Sequence, residues 1–348
     1  MSPAVSLSVC IPTHEGRAEP LRRALGSIVE QLDGAPAGAV EVVVSDNGSR
    51  DETRTVVLDV QRKHPGVVTY VRFEQDQGFA ANLLQAVDTA RGAFCWLFSS
   101  DDALVPDGLR RVLDRLAEHP DLNGMTLRPA PYDFERNAEA HPFYPAFLPA
   151  APDGVHRWQT VAATVDGCGI MMGLLPAQVV RRSAWEKVAG ESRRGGALDR
   201  FTFFPHYYLV LRLALRDPTW IWEPGPTFRL QTAIGNSVVE DMGGDLMRYH
   251  LETTRELVAL WGELLGRGPL TRGLLARTRR AIFPLTALVD YKLRPGHGLA
   301  DDARLLRSCV GWFWRLPAFW PSVPVLLLPH PVARALLRGL HAVRPPTG

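Results

Sequence analysis

The chain has 348 residues, 46% of them hydrophobic and 22% charged, which suits one or two globular domains with a large core and rules against a disordered polypeptide. Formal net charge is only +2, but from Gly266 onward 13 Arg or Lys face 3 Asp, so an acidic body carries a basic end. Four cysteines, Cys10, Cys95, Cys168 and Cys309, stand far apart without a CxxC pair, which argues against a disulfide framework or zinc centre and for a reducing compartment. The first five residues have neither the charged start nor the apolar core of a signal peptide, so a cytoplasmic location is expected. In that setting the sequon Asn47-Gly48-Ser49 reads as a turn.

In chain order, residues 7–11 form a short apolar strand, and Pro20 opens a helix with Leu21, Leu25, Ile28, Val29 and Leu32 at helical spacing. Residues 40–44 make a second strand that ends in Ser45-Asp46-Asn47-Gly48-Ser49, and residues 67–73 a third. A helix follows over 79–90, a fourth strand over 93–98, and another helix over 107–119 after Pro106. Continuous apolar strands alternating with helices predict an α/β fold with a parallel sheet covered on both faces. Ligands then bind beyond the carboxyl ends of the strands. The polar clusters Thr13-His14-Glu15, Ser45-Asp46-Asn47 and Ser100-Asp101-Asp102 all fall on that edge.

Residues 120–238 are less regular and rich in Pro and aromatics. Helical patterns return over 246–265, over 270–293 with a kink at Pro284, and over 302–316. Four prolines between 312 and 329 prevent one straight membrane-spanning helix there. The boundaries that follow are residues 1–238, with halves 1–130 and 131–238, and a helical region 239–348.

Ser99-Ser100-Asp101-Asp102 is the most informative motif. The strand before it delivers two carboxylates to an exposed end, and hard oxygen ligands held there suit a divalent cation carrying phosphate oxygens. The plain alternative is capping of the next helix.

Four segments in order carry a resemblance: 8–13 (SVCIPT), 42–51 (VVVSDNGSRD), 78–82 (GFAAN) and 97–104 (LFSSDDAL). Together they resemble the inverting glycosyltransferase family two, which has the GT-A nucleotide-diphospho-sugar transferase fold with a mostly parallel central sheet. The C-terminal features are similar to transferases of bacterial surface polysaccharides, abequosyltransferase-like ones included. The resemblance implies a nucleoside-diphosphate sugar as donor, a saccharide or lipid-linked acceptor, and Mn²⁺ or Mg²⁺ as cofactor. It places Pro12, Thr13, His14 and Glu15 in the loop at the nucleobase, with His14-Glu15 standing where relatives often have Tyr-Asn. It assigns Asp46 to the base or ribose, and Gly78 and Asn82 to the place where the backbone passes the nucleotide. Ser100-Asp101-Asp102 falls on the metal motif, with Asp102 as ligand, Asp101 at the ribose or behind the metal, and Ser100 replacing an acid.

The general base departs from the family. Aligned on Leu209-Val210-Leu211-Arg212, His206 falls at the place of the catalytic aspartate, and an imidazole titrating near neutrality suits that task. Asp199 and Glu191 are the alternatives, and a helix-start histidine bonded to backbone is the plain reading. Asp166-Gly167-Cys168-Gly169 reads as a turn, either on the acceptor side or a simple loop.

The basic end sets Trp312, Phe313, Trp314, Phe319 and Trp320 among Arg304, Arg307 and Arg315, with Arg272, Arg277, Arg279 and Arg280 further back. Apolar faces with Arg at headgroup depth suit the anionic inner leaflet of a membrane, with a packed helical subdomain or a homodimer interface as the alternative. Nucleic acid is disfavoured, because apolar residues locally outweigh cations and no binding motif occurs. Two other functions are weighed. A nucleotidyltransferase needs a Gly-rich basic loop after the first strand, and residues 13–17 (THEGR) have one Gly and an acid. A catalytically degenerate scaffold subunit is suggested by Ser100 and His206 in place of acids.

Overall fold

The computed structural model describes residues 5–140, 154–231, 246–282, 291, 299–333 and 335, in two compact units, 1–233 and 234–348. The first unit opens with β1 (Leu7–Thr13), α1 (Ala18–Val29), β2 (Val40–Asp46), α2 (Thr53–Lys63), β3 (Val68–Arg72), α3 (Gly78–Thr89) and β4 (Phe94–Leu97). These strands pair in parallel in the order β3-β2-β1-β4. Every residue of β1, β2 and β4 is buried, which is why they are mainly apolar rather than alternating, and in the polar pair inside them the Ser8 hydroxyl donates to Glu41 at 2.6 Å.

Beyond β4 the sheet becomes mixed. The chain continues through β5 (Ala103–Leu104), α4 (Gly108–Glu118), β6 (Gly124–Asp133), β7 (Ala138–Glu139), β8 (His156–Trp158) and α5 (Val161–Cys168). Then come β9 (Gln178–Arg181), α6 (Arg182–Arg194), α7 (Pro205–Arg216) and β10 (Trp220–Gln231). β9 pairs antiparallel with both β4 and β6, β10 lies parallel to β6, and β5, β7 and β8 are antiparallel additions. The parallel sheet read from the sequence is therefore the β1–β4 half of a larger mixed one.

β6 and β10 escaped the apolar pattern because prolines interrupt them, and β10 changes register between Glu223 and Phe228. At that irregularity Glu223, 1% exposed, accepts the Gly225 N–H at 2.9 Å and pairs with Arg115 Nε of α4 at 2.6 Å. Gly124 gives room for the Trp220 ring, which would lie 2.2 Å from a Cβ at that position. Trp96 Nε1 donates to Pro176 O at 2.7 Å, tying β4 to the segment before β9.

The segment 166–169, read as a turn, is instead the last turn of α5 running into a 3₁₀ helix, Gly169–Gly173. Gly167 is small there because the Trp158 ring would stand 2.3 Å from its Cβ.

The second unit contains α8 (Leu246–Leu265), α9 (Pro269–Ile282), α10 (Leu299–Phe313), a 3₁₀ turn (Pro317–Ser322) and α11 (Val323–Leu327). Leu251, Tyr291, Leu305, Cys309, Phe313 and Phe319 form its core. His330 and Asp302, both buried, meet at 3.0 Å. The kink expected at Pro284 lies outside the described residues. Among the described residues no helix is long and apolar enough to cross a membrane.

Removing Arg115 would strand a buried carboxylate. Arg115→Ala should lower the unfolding free energy by roughly 3 kcal/mol, and adding Glu223→Leu should restore much of it, since the uncompensated charge is the main cost. Urea unfolding of the two variants at neutral pH checks this.

Candidate active site

β1 ends in Pro12 and Thr13, both buried, with Thr13 opposite Asp46 of β2. The Thr13 carbonyl accepts the Asn47 N–H at 3.0 Å and Asn82 Nδ2–H at 2.8 Å, so α3 is pinned to the ends of both strands. Ser45 Oγ donates to Asn82 Oδ1 at 2.6 Å. The Thr13 hydroxyl is buried with no hydrogen-bond partner among the described residues. After it the chain turns outward. His14 Nδ1 meets Glu15 O at 2.8 Å, exposed Glu15 accepts the Arg50 N–H at 3.3 Å, and Gly16 N–H donates to Asp51 at 2.8 Å. The loops after β1 and β2 are thereby laced together.

Asp46, the residue expected at the base or ribose, is the last residue of β2. It is fully buried, Oδ1 accepting the Ser49 N–H at 2.9 Å and the Ser49 hydroxyl, and Oδ2 accepting the Tyr70 hydroxyl beside Arg72 Nε at 3.4 Å. Burial and the Asp46 carboxylate raise the Tyr70 pKa, so the phenol stays a donor. Asp46 thus shapes the 46–49 turn. Gly48, at φ +81°, lets that turn approach the backbone of Gln75, which would be 2.9 Å from a Cβ there. Asp76 then accepts the Gly78 N–H at 2.7 Å, and Gly78, also at φ +81°, begins α3.

The carboxylate pair after β4 is surrounded by groups that the sequence pattern did not single out. Asp101 pairs with Arg17 at 3.2 Å and accepts the Ser99 hydroxyl, and its carbonyl accepts Arg23 Nη2–H at 3.0 Å. The Arg23 guanidinium lies 3.8 Å from the Phe134 ring centroid. Asp102 was expected at an exposed strand end but is 1% exposed, because the end of β10 covers it and Gln231 N–H donates to its Oδ1 at 2.8 Å. Burial, and then the charge of Asp101, push its pKa well up, against the opposing pull of the Gln231 N–H, Arg23 and Arg17. Ser100 is buried beside it.

Among the described residues no group of three or more His, Cys, Asp or Glu side chains gathers to hold a metal. The pair fits a hard divalent cation that brings most of its own oxygen ligands, as one bound to a diphosphate does. Asp102 Oδ2 accepts no hydrogen bond among the described residues, and added positive charge relieves the repulsion that raises its pKa.

His206 stands in the first turn of α7 after Pro205. It is buried, with Nε2 2.7 Å from Gly173 O, which is the backbone bond of the plain reading. Nε2 carries the proton in that bond, so Nδ1 holds the lone pair, and Nδ1 is buried without a partner among the described residues. The Phe79 ring of α3 meets the imidazole edge-on at 5.6 Å, which brings His206 against the turn that begins at Gly78. Burial lowers its pKa to about 4.

Of the alternatives, Glu191 is bound to Arg212 at 3.1 Å and to Arg216, which hold its pKa low and clamp α6 to α7. Asp199 is exposed in the 3₁₀ turn Leu198–Arg200, on a groove of about 530 Å³ between α3 and α6 that Gln85, Asp88 and Arg193 also line.

The chain is similar to proteins of known activity. The model of the family described as "Glycosyl transferase family 2" matches residues 8–187. Abequosyltransferase RfbV of Salmonella typhimurium is 36% identical over 120 residues, 33% of this chain and 34% of the relative. A GalNAc(5)-diNAcBac-PP-undecaprenol beta-1,3-glucosyltransferase of Campylobacter jejuni is 30% identical over 112 residues, 32% and 35% of the two chains. The chain thus spans about a third of the length of these relatives.

Among solved structures, S. aureus TarS residues 1–349 in complex with UDP-GlcNAc superpose with TM-score 0.58 at 15% identity, covering 95% of this chain and 88% of that one. Mannosyltransferase PcManGT from Pyrobaculum calidifontis, in complex with GDP-Man and Mn²⁺, gives 0.54 at 18% identity, with 96% and 88% covered. With the GT-A fold in place and the family model matching more than half of its residues, the chain belongs to glycosyl transferase family 2.

Proposed function

We propose that the enzyme moves a sugar, with inversion, from a nucleoside-diphosphate sugar to a hydroxyl of a saccharide or lipid-linked acceptor, aided by Mn²⁺ or Mg²⁺ and working at the cytoplasmic face of a membrane. The observation that carries this reading is the buried carboxylate Asp102, held at the strand edge where the ends of β1, β2 and β4 and the start of α3 converge. The UDP-GlcNAc and GDP-Man complexes among structural relatives support a nucleotide-sugar donor, and the Mn²⁺ complex supports the cation. The undecaprenol named in the Campylobacter relative supports a lipid-linked acceptor.

Each residue then has a task. Pro12, Thr13, His14 and Glu15 form the wall beside the nucleobase, where the unpartnered Thr13 hydroxyl offers a hydrogen bond. Asp46 acts through the Ser49 turn, and Asn82 holds the β1 end so that the nucleotide passes Gly78 closely. Ser100 and Asp101 flank the diphosphate side, with Arg17 placed to offset phosphate charge. Asp102 would hold the divalent cation, which supplies charge stabilisation to the departing nucleoside diphosphate. His206 is neutral at physiological pH, and the Gly173 carbonyl fixes the tautomer in which Nδ1 takes the acceptor hydroxyl's proton.

Asp102→Asn keeps the shape and an oxygen for the Gln231 N–H but removes the charge. Transfer should fall by about 10²–10³-fold, the scale for losing one charge-stabilising group, and the stimulation of donor binding by Mn²⁺ should disappear in calorimetry. Unaltered metal stimulation would remove Asp102 from the site.

His206→Ala should lower turnover by about 10²–10⁴-fold with donor affinity unchanged. Near-normal turnover would move the base to Asp199. The pKa of about 4 also has a sign for stability. Between the unfolded value of about 6.5 and the folded one, the unfolded chain binds more protons, so the contribution of His206 is complete above pH 6.5 and is lost as pH falls toward 4. His206→Gln should flatten that part of the stability–pH curve, measured by thermal unfolding.

A further inference from the structure

The second unit presents an exposed surface made of residues that the proposed site does not include. On α10, Asp302, Leu305, Cys309 and Phe313 are buried, whereas Arg304, Arg307 and Val310 recur at helical spacing on the exposed side. Trp314 continues that exposed stripe, its N–H bonded to Val310 O at 3.2 Å. Trp314 is 49% and Trp320 53% exposed, while their immediate neighbours Phe313 and Phe319 are fully buried. This is unusual within the chain, whose Trp96, Trp185, Trp220, Trp222 and Trp261 all lie in the interior. The two exposed tryptophans are neighbours, Trp320 Nε1 donating to Trp314 O at 3.0 Å, so one indole N–H is satisfied without water. Leu327, at the end of α11, is 61% exposed. The Arg315 guanidinium stacks over the Trp314 ring at 4.8 Å.

The mixture selects the partner. A protein interface gathers its apolar residues into a core depleted of charge and leaves charge at the rim. Here Arg and apolar side chains alternate within single turns, which suits a boundary where acyl carbon and phosphate lie a few ångströms apart. Tryptophan is favoured at that depth and arginine beside anionic headgroups. The long-range charge agrees, with 13 Arg or Lys against 3 Asp from Gly266 onward. α11 has only five residues, so the segment would lie on the bilayer rather than enter it.

We propose that Trp314, Trp320 and Leu327, together with Arg307 and Arg315, form a docking surface for an anionic phospholipid bilayer. This deepens the reading of a transferase with a lipid-linked acceptor, but vesicle binding and donor binding are separate measurements, so either can fail alone.

The test uses the full chain with vesicles of phosphatidylcholine alone or mixed with phosphatidylglycerol. The parent protein should sediment with the anionic vesicles, less so at high salt, and brominated lipid should quench part of its tryptophan emission. Trp314→Ser/Trp320→Ser/Leu327→Ser should reduce partitioning by about tenfold or more while sugar-nucleotide affinity stays at the parental value. Arg307→Gln/Arg315→Gln should erase the preference for anionic over neutral vesicles. The proposal is overturned if the parent does not sediment with anionic vesicles at low salt, or if the triple variant binds them as well as the parent. It is equally overturned if sedimentation equilibrium finds a dimer that the triple variant dissolves, because a second copy then covers the patch. Should the triple variant lose its helical circular dichroism, quenching in the parent decides, and absence of quenching overturns the proposal.

Discussion

Two consecutive carboxylates at the end of a buried strand repel each other, and one of them, Asp102, has almost no water to screen it. The surroundings of the site are largely a response to that problem. Arg17 and Arg23 reach Asp101 from the β1–α1 loop and α1, and the last residue of β10 donates its amide to Asp102. Phe134 covers the outer face of Arg23, and its own N–H is bonded to the Gln231 side chain at 3.3 Å. Sheet edge, helix and hairpin end are therefore held in one network whose members answer to the same negative charge. In the proposed reading a divalent cation would add to the same network, answering the charge that Arg17, Arg23 and the Gln231 amide now answer.

How legible this was depended on the distance over which each residue finds its partner. β1, β2 and β4 could be read because strands buried on both faces need no alternation, only a run of apolar side chains. β6 and β10 could not, since their prolines and the break in register hide the strand pattern, and their pairing with each other joins segments about a hundred residues apart. The polar clusters at the strand ends were visible as local motifs. Their exposure was not: Asp102 is covered by a residue 129 positions later, and Asp101 is paired with an arginine 84 positions earlier. No local window contains both members of either contact. Asp46 shows the same limit at shorter range, because its burial follows from Tyr70 and Arg72 on the neighbouring strand.

In its proposed role as general base, His206 differs from an aspartate in more than one property. An aspartate in that place would carry charge into a site lined by Phe79 and Phe204, whereas neutral imidazole enters without it. The cost is a weaker base, since the burial that suits the neutral ring also lowers its proton affinity. Glu191, by contrast, spends its charge on two arginines of α7 and so braces the helix on which His206 sits.

The bond between Gln231 and Asp102 has a consequence for how the molecule is made. During synthesis β1 to β4 and both carboxylates leave the ribosome long before β10 does, and until then Asp102 lacks its amide and β6 lacks the strand that lies parallel to it. Until then the sheet ends at β6 with an open edge, vulnerable to pairing with other chains. A fragment ended at residue 187, where the recognisable family segment stops, would be frozen in that immature state. The smallest body that closes this sheet is set by the arrival of β10 rather than by the extent of the recognisable motifs.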